Sequence, residues 1–180
     1  MPHDDASQHG GSPAAPAPAP GEGSQAATVV PPSREGLHSL PGKVTLLVFA
    51  IGSESFAIEL AAVREIAECG AARCVPGWNG AARGLLAVGG RLLPLVSVGA
   101  LLGLEGGYGG AALVMQAGGV ALEVDEVEEV LEIELGRLLS PPLGTPAGDP
   151  LAAVVSERGS LVAVLDAGTL VQAALQAVPR

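Results

Sequence analysis

Aromatic side chains are almost missing from this 180-residue chain: Phe49, Phe56, Trp78 and Tyr108 are all it has. A core must therefore be packed by small aliphatics. An aromatic-lined groove for proline-rich peptides cannot be assembled from four rings so far apart in sequence. Histidine is confined to His3, His9 and His38. From Lys43 onward no side chain titrates near neutral pH without special tuning, which argues against a small hydrolase or transferase. Lysine occurs once, as Lys43, and the net charge is −10. A phosphate-binding surface for nucleic acid and a polybasic attachment to anionic lipid are both excluded on that balance.

Long apolar runs are absent as well. The longest stretches, such as Leu46 to Ile51, fall far below the roughly 18 residues of a spanning helix. Met1 to Gly10 carries Asp4 and Asp5 in place of a basic region, and no apolar run follows, so it does not read as a secretory signal. A cytoplasmic protein with no direct membrane insertion is expected. Cys69 and Cys74 are the only cysteines. They are too few for a disulfide scaffold, and without a nearby histidine they cannot complete a zinc site, so small buried residues are expected there.

What is present falls into two parts. Residues 1–42 are rich in Pro, Ala, Gly and Ser, a composition that buries too little apolar surface to offset its ordering entropy, and read as a disordered tail. Residues 43–180 show short aliphatic runs broken by Gly52-Ser53-Glu54-Ser55, Gly89-Gly90, Gly118-Gly119 and Arg158-Gly159. Four hairpins follow: Val44–Ile51 with Phe56–Glu59, Gly84–Val88 with Leu92–Val98, Ala112–Ala117 with Val120–Val124, and Leu151–Ser156 with Leu161–Asp166. Short helices are expected at Ala61–Ile66, Val98–Leu102 and Ala167–Ala177.

The pattern also repeats. Phe56 to Ile66 aligns with Val120 to Val130 at an offset of 64, and Pro94 to Leu102 aligns with Ala163 to Val171 at an offset of 69. Two copies of one unit imply an all-β fold of two small five-stranded barrels side by side, which hides sheet edges by curling. The folded region should bury about 68% of its unfolded surface. Gly103 to Gly110 lacks the Gly-Lys-Ser/Thr ending of a phosphate loop and reads as a linker between the copies. Seven of the twelve residues from Glu123 to Glu134 are acidic, but Val124, Val127, Val130, Leu131 and Ile133 are interleaved, so a solvated strand face is expected rather than a carboxylate pair or calcium loop. The functional alternative is an acidic docking stripe for a basic partner.

Arg83-Gly84, the Gly89-Gly90 turn and Pro94 resemble the signature of the CheW-like chemotaxis coupling proteins. Phe56-Ala57-Ile58 through Val63-Arg64-Glu65-Ile66, Val75-Pro76-Gly77, Asp125-Glu126-Val127 and Leu161 to Asp166 fall in family order around it. The resemblance covers residues 43 to about 176. It implies two intertwined five-stranded SH3-like barrels with a hydrophobic groove between them for a chemoreceptor tip. One face of the first barrel would bind the regulatory domain of a CheA-type histidine kinase. The implied protein is a non-catalytic adaptor with no cofactor and no metal, whose partner-binding residues are Val63, Glu65, Trp78, Arg83, Gly84 and Leu86.

Three positions depart from the family pattern: Ala87 stands for Asn, Gly89 for Arg and Ser97 for Asp. The family arginine is thought to act with the glutamate at Glu65, and Arg91 belongs to the returning strand and does not replace it. The alternative is therefore a divergent CheW-like protein that binds receptor or array partners without productive kinase coupling. Trp78, on the Pro76-Gly77-Trp78-Asn79-Gly80 loop, is either an interface anchor or a lid over a barrel end.

Overall fold

A computed structural model describes residues 42–104 and 109–179. Most of the expected tail, and the centre of the expected linker at 105–108, lie outside the described residues. Ten strands run β1 Lys43–Ile51, β2 Glu54–Glu59, β3 Val63–Glu68, β4 Ala82–Val88, β5 Arg91–Ser97, β6 Ala111–Met115, β7 Ala121–Val124, β8 Glu126–Glu134, β9 Leu151–Glu157 and β10 Ser160–Leu165. Among the described residues there are two α-helices, α1 Val98–Leu101 and α2 Ala167–Ala177.

Three of the four hairpins close on turns whose two central residues both take positive φ. Gly89 and Gly90 (φ 55° and 75°) and Gly118 and Gly119 (77° and 60°) hold the twist that matches antiparallel strands, and Arg158-Gly159 (50° and 85°) does the same with a side chain on its first residue. The two helices begin where a side chain caps them. Asp166 Oδ1 accepts the Thr169 N–H at 2.7 Å, and Ser97 Oγ accepts the Ala100 N–H at 3.4 Å.

One expected helix is absent. Ala61–Ile66 is a single 3-10 turn at Leu60–Ala62 followed by β3, which pairs with β6 through Ile66 opposite Leu113 and Ala67 opposite Ala112. Apolar residues at 60, 63 and 66 mimic helical spacing, but the cross-strand pairing outweighs that local preference.

The sheets exchange strands between copies. One sheet has the order β8-β1-β2-β10-β9 and the other β3-β6-β7-β5-β4, so each takes two strands from one copy and three from the other. Each copy sends its first hairpin into one sheet and its remaining strands into the other. The registers obey the sequence repeat. The parallel pair Leu95 opposite Ala121 becomes Val164 opposite Ala57 when the offsets of 69 and 64 are applied.

Each sheet curls around its own core. Ile133 on β8 and Val155 on β9 stand on opposite edges of one sheet, about 19 Å apart if it were flat, yet they share one buried cluster with Val44, Leu46 and Val48. Leu86, Leu93, Leu95, Val114 and Ala121 fill the other curl. The outer faces of the two curls then pack on each other and on α2 through Leu47, Phe49, Ile58, Val96, Leu122 and Leu170. Strand β1 is buried on both faces for this reason, which explains the unbroken apolar run from Leu46 to Ile51. Phe49 and Phe56 are cross-strand partners with stacked rings 6.1 Å apart.

Candidate functional site

Where the two curled sheets meet, the β6–β7 turn and the start of α2 enclose a cavity of about 530 Å3, lined by Ala62, Met115, Gly118, Asp166, Val171 and Gln172 among others. The Gln116 N–H donates to the Ala62 carbonyl at 2.9 Å, so the cavity wall runs straight into β3. Strand β3 is the edge of its sheet. After buried Val63 its residues Arg64, Glu65 and Ile66 are all exposed, Ile66 at 49%. The cleft, lined by both apolar and polar side chains, is thus continuous with an exposed edge strand, whose free backbone groups are open to pairing.

The six residues expected at the interface separate by depth. Val63 packs in the core between the sheets. Leu86, at 1% exposure, fills the interior of the second curl and presents no surface to a partner. Gly84 is buried at a bulge in β4, with φ +144°. Arg73 crosses over it, donating its N–H to the Leu85 carbonyl at 2.7 Å and accepting the Leu85 N–H at 2.9 Å. Glycine is needed there so that two backbones can touch.

Glu65 and Arg83 are exposed, and Trp78 is half-buried on a turn closed by its own N–H to the Val75 carbonyl at 3.1 Å. Glu65 pairs with its neighbour Arg64 at 2.7 Å. Arg83 reaches across β5, donating through Nε to Glu123 Oε2 at 2.9 Å and through Nη2 to Ser97 Oγ at 3.4 Å. The surface of β3 and β4 thus carries two arginines, both held by carboxylates.

The second sheet edge repeats this layout with different charges. The repeat mate of β3 is β8, whose residues Glu126, Glu128, Val130, Glu132 and Glu134 are exposed, Val130 at 53%. The acids therefore form the solvent face of a strand, as the alternation implied. Glu129 is the mate of Glu65, and Arg158 is the mate of Gly89; Arg158 Nη1 donates to Glu129 Oε1 at 3.3 Å. The second copy thus has an arginine–glutamate pair at positions where the first has Gly89 and Glu65. Asp125, between β7 and β8, has a local duty: its Oδ2 accepts the Gly52 N–H at 2.7 Å and anchors the first hairpin turn.

Several of these residues carried no separate signal in the sequence. Met115, Gly118 and Val171 line the cleft only because α2 folds back on the β6–β7 turn. Ile66 and Glu123 were visible through the repeat, as mates of Val130 and Glu59, but their exposure and partners were not. Among the described residues no group of acidic, cysteine or histidine side chains is arranged to hold a metal ion. Cys69 is buried as expected, whereas Cys74 is exposed, contrary to the expected burial; both are free thiols. No described helix is long and apolar enough to cross a membrane.

Two intertwined five-stranded curled sheets with a cleft between them define a scaffold-type binding domain. The chain belongs to the CheW-like family of scaffold proteins, whose domain profile matches residues 45–175. In fold it is similar to the scaffolding protein TtCheW of Thermoanaerobacter tengcongensis, with a TM-score of 0.61 over 68% of this chain and 88% of that one, at 16% identity. Against curated protein sequences the chain has no significant match.

Proposed function

We propose that this protein is a cytoplasmic, non-catalytic adaptor that holds a chemoreceptor signalling tip against the regulatory domain of a CheA-type histidine kinase. The observation that carries this reading is the continuity of the cleft at Ala62, Met115 and Gln172 with the exposed edge strand β3. A helical receptor tip would seat apolar side chains in the cleft. The kinase domain would meet β3 and β4 through Glu65, Arg83 and Trp78, with Val63, Gly84 and Leu86 shaping that face from beneath. The chain's −10 charge supports protein partners over nucleic acid or anionic lipid.

Calorimetric titration of the purified full chain against the kinase regulatory domain, and separately against a receptor-tip fragment, tests this reading. Binding to both, with the kinase arm weakened by Glu65→Arg and the receptor arm by Gln172→Glu on the exposed cleft lining, is the expected outcome. Binding to neither would sink it.

A second reading has its own observation. Gly89 leaves Glu65, among the described residues, with the adjacent Arg64 as its ion-pair partner, which favours a divergent adaptor that binds receptor or array partners without productive kinase coupling. Binding in the receptor arm alone would select it.

A further inference from the structure

We propose that Glu123 is the positioning residue for Arg83: it sets the direction in which that guanidinium meets a protein partner, in the place of an acid at position 97. The inference rests on the adaptor reading and concerns the same face.

The geometry runs across three strands. Arg83 on β4 passes over β5 to reach β7, and Ser97 and Glu123 stand directly opposite each other in the β5–β7 register. The guanidinium contacts both, but unequally. Its bond to Glu123 is 2.9 Å and ionic; its bond to the Ser97 hydroxyl is 3.4 Å and neutral. Ser97 Oγ is also committed to the Ala100 N–H that starts α1. A charge-assisted bond of ordinary length outweighs a long bond to a shared hydroxyl.

Glu123 is itself held. Its side chain is only 12% exposed, against 40% for Arg83. The glycine on the chain entering β6 leaves room for it: a Cβ added at Gly109 would lie 2.7 Å from both Cδ and Cγ of Glu123. The acid is thus the more buried partner and the arginine the outer one. Because β4 and β7 belong to different copies of the repeat, the pair also fastens the first copy to the second.

The other copy shows the alternative arrangement. The mate of Ser97 is Asp166, an acid that caps α2 through Thr169, and the mate of Arg83 is Ala152, so no cation is placed there. An acid at the cap position is compatible with this fold. Where the chain has a serine cap and an arginine, the acid comes from the neighbouring strand.

Two readouts test the pairing. With the kinase regulatory domain as probe, Glu123→Gln and Arg83→Met are each expected to weaken binding about fivefold. The double variant is expected to bind no worse than either single one, and Ser97→Asp added to Glu123→Gln to recover most of the loss. A double variant that loses the product of the two single effects would overturn the proposal, as would a Glu123→Gln chain that binds like the original. The second readout needs no partner: the Arg83 Nε–H resonance should be sharp and slow to exchange in the native chain, lost in Glu123→Gln and regained with Ser97→Asp. Its persistence in Glu123→Gln would overturn the pairing. A native chain that binds no kinase domain but shows this pattern would overturn the adaptor reading instead. Should Glu123→Gln melt below the assay temperature, Glu123→Asp, which keeps the charge and shortens the reach, serves the same comparison.

Discussion

The Arg73 carbonyl lies against the Cα of Gly84, with its carbon 2.8 Å from the point a Cβ at 84 would occupy. The two residues are joined through Leu85, which exchanges both of its backbone hydrogen bonds with Arg73. Val154, the repeat mate of Leu85, makes the corresponding bridge from β9 with Leu139. The Arg-Gly dipeptide at 83–84 therefore joins two different duties: the arginine serves the surface and the glycine serves the sheet.

Gly84→Ala should destabilise the fold by about 2 kcal/mol or more, because a positive-φ strain adds to a clash with backbone that has no rotamer to move. Urea unfolding followed by circular dichroism measures this. A loss below about 0.5 kcal/mol would mean that the crossing segment shifts freely.

Leu86 and Ile66 should behave in opposite ways. Leu86→Ala empties a fully buried site and should cost about 2–5 kcal/mol of stability. Ile66→Ser, on a half-exposed side chain, should change stability by less than about 0.5 kcal/mol, yet weaken kinase-domain binding. Parallel denaturant melts and titrations on the two variants separate packing from contact.

Gly89→Arg should fold. Arg158 already occupies the equivalent turn position at φ 50°, and a non-glycine residue in that conformation costs about 1 kcal/mol. The new guanidinium would restore near Glu65 the pairing that Arg158 makes with Glu129. Tighter binding to the kinase regulatory domain is expected, measured by calorimetry at low and high salt. Unchanged affinity would show that Glu65 does not act through position 89.

Burial, and secondarily the nearby charge of Glu123, push the Cys69 thiol up to about 11 from an ordinary 9.0. A thiol raised on folding favours the native state while the unfolded chain keeps its proton too. Its contribution is complete below about pH 9 and is lost as pH climbs from there toward 11. Cys69→Ala should therefore flatten the alkaline limb of the stability curve. At neutral pH a thiol reagent should modify exposed Cys74 and spare Cys69 until the protein unfolds.

The hairpins were legible because their signals are local. Paired turn residues stand between aliphatic runs, and a two-residue turn dictates which neighbours pair. The exposure of Glu126, Glu128, Glu132 and Glu134 was legible for the same kind of reason, since alternation along one strand assigns its faces. Ala61–Ile66 misled because its apolar spacing suits a helix, and only the presence of β6 alongside makes it a strand.

Depth at the interface was less legible. Val63, Gly84 and Leu86 lie in or beside signature motifs, and no one-dimensional pattern separates a residue that touches a partner from one that packs beneath it. Leu86 is interior because β4 curls over β6 and β7. Glu65 is exposed because β3 ends the sheet.

By itself the sequence determined the four hairpins, their turns, the two-copy repeat and the confinement of histidine to the first 38 residues. All of these follow from side-chain type and short-range spacing. The tertiary structure decided which copy supplies each strand, where the cleft opens and which acid holds Arg83. Those depend on contacts between residues 40 or more positions apart, such as Arg83 with Glu123. Hydrophobic burial is non-directional, so many pairings of ten similar strands satisfy the same apolar pattern. Only the packing of two curled sheets against one another, with α2 across their junction, selects one.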